Sequence, residues 1–272
     1  MRSRRGRTLD FPAFLQQALP GVGLRPQPLR RKAIRRRLAR RMRELGVRSY
    51  SDYARLLEEQ PPERERLRKL LTLSVSRFFR NRPVWDALRE RVLPALLESL
   101  SPGESLRVLS AGCASGEEAY SLSLLWLARF EERAKLLLLA SDLEEEYLRR
   151  ARKGVYRASS LREVPRPWVE SFFERGGEGF RVPERARSLV RFLRADLLSP
   201  LPFRKPFHLV LCRNTAFTYF AQESRSRALA HLAEGLAPGG ALLVGRKERL
   251  SPRECERAGL VPLGKGFYRK GA

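Results

Sequence analysis

The sequence is poor in cysteine, histidine and acid. Only three cysteines occur in 272 residues, Cys113, Cys212 and Cys255, odd in number and widely spaced. That pattern fits neither a disulfide framework nor a zinc knuckle, and it predicts a reducing cytoplasm as the compartment. Two histidines, His208 and His231, leave little material for a His-based metal centre or a Ser-His-Asp triad. One heads a predicted strand and the other lies in a predicted helix, so both read as structural and no metal is expected. No apolar run approaches the ~18 residues of a membrane span. The basic start, Met1-Arg-Ser-Arg-Arg-Gly-Arg7, lacks the apolar stretch of a signal peptide behind it. Acids number 30 against 55 Lys and Arg, a net charge of +25. Preferring Arg to Lys leaves charge unchanged, so that excess calls for an acidic partner: nucleic acid, a membrane surface or an acidic protein face.

What is present is a globular chain, 43% hydrophobic and 9% aromatic, long enough for one large domain or one and a half. Its organising stretch is Ser105-Leu-Arg-Val-Leu-Ser-Ala-Gly-Cys-Ala-Ser-Gly-Glu-Glu-Ala-Tyr-Ser121. Leu106 to Leu109 reads as a buried strand, Ser110 to Gly116 as a small-residue turn, and Glu117 opens an amphipathic helix. Such a turn lets backbone approach a nucleotide-like ligand closely. The spacing Gly112-x-x-x-Gly116 is not the dinucleotide fingerprint, and the acids after it favour a helix N-terminus but repel a pyrophosphate. They suit a cationic or hydroxyl-bearing ligand such as S-adenosylmethionine. Asp142 ends a second buried strand, 26 residues past Gly116. It is placed to accept from ribose hydroxyls or to cap the helix that starts near Leu143, and both can hold.

Ahead of this core, residues 1–7 form a basic tail and 29–45 a helix with Leu29, Ile34, Leu38, Met42 and Leu45 on one face. Residues 25–48 hold eleven Arg or Lys against one acid, Glu44, a density that predicts a docking surface for acidic partners. A helix capped at Ser49 runs to about Glu59, Pro61-Pro62 breaks it, and another runs from Glu63 to Leu71. The division is a tail and helical N-terminal domain over 1–80, then a linker helix and an α/β domain over 81–272. Past Asp142, strands at His208–Cys212 and Ala241–Gly245 alternate with helices, while Phe180–Val182 and Leu189–Phe192 read as strands of an insertion ahead of them. A small antiparallel insertion falls at about 170–192. Pro238-Gly-Gly240 reads as a tight turn and Leu260 to Tyr268 as a closing hairpin. The fold class is α/β, a doubly wound Rossmann-like sheet with its ligand groups at the carboxyl edge.

Several ordered segments together resemble the chemotaxis-receptor methyltransferase (CheR) family. They are Phe78-Phe-Arg80, Ser110 to Ser121, Ala140-Ser-Asp142, Gly154-Val-Tyr156, Cys212-Arg-Asn214 with Tyr219-Phe220, and Pro238-Gly-Gly240. The resemblance runs from about Phe11 to Tyr268. It implies an S-adenosylmethionine-dependent enzyme that makes glutamyl methyl esters, with a helical N-terminal domain and a β insertion that helps bind the receptor. It further implies that Ser74, Ser76 and Arg80 face the cofactor, with Arg80 near the transfer site. Gly112 and Gly116 would form the cofactor turn, while Glu118 and Asp142 would hold its amino-acid or ribose portion. Asp196, Leu197, Arg213 and Asn214 would flank the adenosyl pocket, and Tyr219 would line the methyl-transfer site. There are departures: serines in Thr72-Leu-Ser-Val-Ser76 where the family has Thr-Asn-x-Thr, and Asp196 where Asn is common. Four residues, rather than three, separate Asn214 from Tyr219, and Gly245-Arg-Lys-Glu248 replaces Gly-His-Ser-Glu. They mark a divergent branch. The expected partner is an acidic helical receptor-like protein docked by the basic helix 29–45, with the enzyme a monomer. The alternatives are a nucleic-acid methyltransferase using the basic surface, and a scaffold that binds cofactor without turnover.

Overall fold

The computed structural model describes residues 9–26, 32–71, 76–201, 203 and 205–271. The chain divides into two compact units, residues 1–73 with 218–225, and residues 74–217 with 226–272.

The first unit is helical: α1 (Phe11–Ala18), α2 (Lys32–Glu44), α3 (Tyr50–Glu59) and α4 (Pro61–Leu71). Ile34, Leu38 and Met42 are buried along one stripe of α2, while Arg35, Arg36, Arg37, Arg40 and Arg43 are exposed around it. Positions 29–31 of the predicted basic helix lie outside the described residues. Ser49 caps α3 by accepting from the Asp52 N–H at 3.1 Å. α4 begins at Pro61, two residues before the predicted start, because a first-turn proline forgoes only an N–H that has no helical partner. Arg41 turns inward and grips buried Glu63 with two bonds, 2.9 and 2.6 Å, and the Tyr53 hydroxyl donates to the same carboxylate at 2.8 Å. Burial works to raise the Glu63 carboxyl, but Arg41 and Tyr53 prevail and hold it below its usual range. Residues 218–225 join this unit through Arg25 N–H to Tyr219 O and Ala221 N–H to Gly23 O, both 2.9 Å.

The second unit opens with α5 (Arg82–Ala87) and α6 (Leu93–Glu98), joined by a π-helical turn, Leu88–Val92. Pro94 cannot donate and its ring crowds the preceding carbonyls, so the ladder widens just ahead of it. Then follow β1 (Leu106–Ala111), α7 (Glu117–Arg129), β2 (Leu136–Asp142), α8 (Glu145–Lys153), β3 (Val155–Tyr156), α9 (Arg166–Phe172), β4 (Glu174–Gly176) and β5 (Gly179–Arg181). After α10 (Glu184–Arg187) come β6 (Val190–Arg194), β7 (Phe207–Cys212), α11 (Ala216–Tyr219), α12 (Gln222–Glu234), β8 (Leu236–Val244), α13 (Pro252–Ala258), β9 (Leu260–Gly264) and β10 (Phe267–Lys270). The main sheet runs β6-β2-β1-β7-β8-β10-β9, parallel except where β10 meets β8 and β9. Leu106, Val108, Leu136, Leu138, Leu209 and Leu211 pack one face of it against α7 and the α5–α6 helix.

Three stretches differ from the sequence expectation. Val190–Arg194 is the edge strand of the main sheet, paired in parallel with β2, so the insertion shrinks to the sheet β3-β5-β4. An edge strand tolerates basic residues within an apolar run, and Val-Arg-Phe-Leu-Arg in sequence looks like part of a hairpin. Pro238-Gly-Gly240 lies inside β8, where the β7–β8 register shifts around it. The unpredicted helix α13 is set by a capping box, Ser251 with Glu254. No helix among the described residues is long and apolar enough to cross a membrane.

Candidate active site

From β1 the chain steps outward to β2 and β6, then returns to the other side of β1 as β7. Ligands of doubly wound sheets sit outside the carboxyl ends of the strands at such a reversal. A buried ion pair joins the elements there. Glu118, in the first turn of α7, meets Arg213, just past β7, with Nη1 3.1 Å from Oε2. Ser110 on β1 donates to the other oxygen at 2.9 Å. A second Arg213 nitrogen donates to the Arg80 carbonyl at 2.7 Å, and the guanidinium lies over the Trp85 ring, 5.8 Å from its centre. The pair is only 4% and 14% exposed. Burial holds the Glu118 carboxyl above its usual range, against the pull of Arg213 and Ser110.

Arg80 is presented by a short strap. Phe78 is held edge-on by Tyr156 and Phe173, with ring centres 4.9 and 5.1 Å away. Phe79 is held by Trp85 and Trp168, and its N–H donates to Ser121 Oγ at 2.8 Å. Phe79 and Asn81, on either side of Arg80, both take left-handed backbone (φ 50° and 68°). Non-glycine residues rarely do so, and the surrounding contacts are what hold them there.

The glycine turn is equally constrained. Gly112 has φ 74°, and a Cβ there would lie 2.4 Å from Thr215 Cγ2. Ala114 N–H donates to Asp142 Oδ2 at 2.8 Å and Glu144 N–H to Oδ1 at 3.0 Å. Asp142 therefore ties the turn to the start of α8. Each of its oxygens retains a lone pair for a ligand hydroxyl. Asp142 does not cap α8, whose N-cap is Glu144 without a side-chain cap bond; it closes the turn just ahead of the helix. Burial raises its carboxyl too, opposed by those backbone bonds. Gly116 caps α7 in the left-handed conformation.

Asn214 has φ 58°, and its N–H donates to Glu248 Oε2 at 2.9 Å. The same oxygen accepts from Gly245 N–H, and a Cβ on Gly245 would lie 2.5 Å from the Asn214 amide nitrogen. Sequence reasoning missed this brace. Glu248 stood out only as the last residue of Gly-Arg-Lys-Glu, although an acid at a predicted strand end facing Asn214 was a usable signal.

Asp196 follows β6 and accepts from Leu198 N–H at 3.0 Å; Leu197 is buried, and His231 Nδ1 donates to its carbonyl at 3.2 Å. Ser76 is half-buried on the approach to the strap, and Ser74 lies outside the described residues. Tyr219 is grouped with the helical unit rather than with Arg80. Cys113 and Cys212 are buried, and burial pushes the first thiol well up and the second to about 12, so neither is a ready thiolate.

Residues 74–263 match the SAM binding domain of CheR methyltransferase and residues 22–72 its all-alpha domain. The chain belongs to the CheR methyltransferase family. A chemotaxis protein methyltransferase of Listeria monocytogenes is 40% identical over 74% of this chain and 74% of its own length. Chemotaxis protein methyltransferase 2 of Vibrio cholerae is 28% identical over 89% of this chain and 86% of its own. Among solved structures, the glycopeptide N-methyltransferase MtfA with S-adenosyl-L-homocysteine aligns at 16% identity over 57% of this chain and 47% of that one, TM-score 0.35. The CheR cofactor is S-adenosylmethionine, and the residues at the strand ends suit it. That cofactor carries an amino group, a sulfonium and ribose hydroxyls, groups that two buried carboxylates, Glu118 and Asp142, are chemically suited to accept. Ser141 Oγ and Arg213 Nε are buried without a protein partner, and Gly112 keeps the turn free of side chain.

Proposed function

We propose that the chain esterifies glutamate side chains of an acidic, helical, receptor-like protein of the chemotaxis type. The observation that carries this reading is the match of both parts of the chain to CheR methyltransferase domains, and the carboxylates braced around the glycine turn agree with it. Glu118, Asp142 and Glu248 are committed to Arg213 and to backbone N–H groups, and both nearby thiols are held protonated. Neither histidine is at hand: His208 accepts from Arg107 N–H at the amino end of the sheet, and His231 serves Leu197. Methylating a hydroxyl or a ring carbon calls for a base or a thiolate, whereas a neutral amine has only to shed a proton after it attacks. S-adenosylmethionine supplies an electrophilic methyl, which a glutamate carboxylate, ionised at neutral pH, accepts with no proton to remove.

Positioning is then the protein's main contribution. Glu118 and Asp142 hold the donor's amino and ribose groups, and Asn214, Asp196 and Leu197 flank its adenosyl part. Ser74 and Ser76 lead into the strap that carries Arg80. Arg80 orients the acceptor carboxylate, and Tyr219 lines the transfer site. The exposed arginines of α2 dock the acidic helix that bears the target. A nucleic-acid acceptor would favour the same basic face. Arg80→Ala and Tyr219→Phe should each lower methyl transfer to an acidic receptor fragment by about tenfold or more, with little loss of folding or of donor affinity. Wild-type turnover in both would remove these assignments.

A further inference from the structure

At the amino end of the main sheet, away from the active site, one face is left uncovered. The connection from β6 to β7, residues 195–206, returns the chain past β2 and β1 without a helix among its described residues. A parallel crossover normally lays a helix on the face it passes. α7 and α8 pack on the other face, where Leu136 and Leu138 are buried. On the bare face Leu137 is 54% exposed and Leu139 half-buried. Arg107 stands opposite Leu137 in the register and Arg191 opposite Leu139, so the four side chains share that face. With Phe203 and Lys205 they line a groove of about 510 Å³ with no acid among its described lining residues.

Chemistry and shape choose among possible occupants. Arg107 is engaged by Glu104 and the Pro206 carbonyl and forms a wall, while Arg191 and Lys205 are exposed at the rim. A second copy would bring another charge of +25 to a cationic rim. A concave apolar floor suits a projecting row of side chains better than a flat bilayer surface. We propose that this groove docks an acidic amphipathic helix of a partner protein, its apolar stripe on Leu137 and Leu139 and its carboxylates on Arg191 and Lys205. The docked helix covers the face that the described residues of the β6–β7 connection leave without a helix, and it leaves the carboxyl edge of the sheet free for methyl transfer.

The test uses the full chain and a labelled peptide of about 18 residues, with leucines at i, i+3, i+4 and i+7 and glutamate at most other positions. A scrambled peptide of equal charge controls for attraction to α2. By fluorescence anisotropy the amphipathic peptide should bind about tenfold more tightly than the scrambled one. Leu137→Glu, and Arg191→Glu combined with Lys205→Glu, should each erase that preference while thermal melting and S-adenosylmethionine affinity stay unchanged. Leu137→Ser serves the same purpose if the glutamate variant does not fold. Equal binding of both peptides, or wild-type preference in the folded variants, overturns the proposal. So does Leu137-dependent binding of phosphatidylglycerol vesicles without a peptide preference, or a Leu137-dependent dimer in sedimentation.

Discussion

At the scale of single residues, the carboxylates of the active site differ in what they do. Glu118 is buried, and its carboxyl sits above the ordinary range in the unliganded protein. A bound ammonium group favours the ionised form, so donor binding and proton release are linked. Lowering the pH protonates Glu118 and removes the attraction, and its raised starting point means the loss begins above the usual carboxylate value of about 4.3. We expect S-adenosylmethionine affinity, measured by calorimetry, to fall in that range for the wild type. Glu118→Gln should bind weakly with a flatter pH profile. Glu248 acts differently, through the backbone of Asn214 and Gly245. Glu248→Ala leaves two N–H groups without their acceptor and should cost about 2–3 kcal/mol of stability. Donor affinity should weaken with it, and Glu248→Gln, which keeps an acceptor oxygen, should recover part of both losses.

At the scale of elements, the helical unit turns on one internal ion pair. Glu63 joins α4 to α2 through Arg41 and to α3 through Tyr53. Removing one partner of a buried pair typically costs about 3–5 kcal/mol, so Glu63→Gln should lower the denaturant midpoint of the full chain and speed amide exchange in α4. The folded carboxyl lies below its ordinary value, so its contribution is present above about pH 4.3 and fades as pH falls through the lower folded value. The difference between wild type and variant should shrink accordingly. Pattern alone made most elements readable: the α2 stripe, the Leu106 and Leu136 strands, and the Ser49 cap. It misplaced Val190–Arg194, because this edge strand carries Arg191 and Arg194 where a central strand carries leucines. It missed α13, a short helix whose local signs are Pro252 in the first turn, Ser251 followed three residues later by Glu254, and Gly259 at its end.

At the scale of the whole molecule, the ordered motifs gave the fold and cofactor, while the relations between residues came only with the structure. Nothing in the order of residues says that Arg213 spends its guanidinium on Glu118 and the Arg80 carbonyl, or that Glu248 supports Asn214. Such links depend on non-local packing between strand ends far apart in sequence. Composition reported the charge of +25 but not its arrangement, with exposed arginines on α2 and a separate cationic groove below the sheet. Attraction of that kind is screened by salt, so transfer to an acidic acceptor should slow as ionic strength rises. The most direct test incubates the full chain with methyl-labelled S-adenosylmethionine and an acidic receptor fragment, followed by mild base. Glutamyl esters would release the label as volatile methanol, in amounts that fall with added salt. Label that resists base and is removed by nuclease, or no transfer by protein that binds the donor, would contradict glutamate esterification.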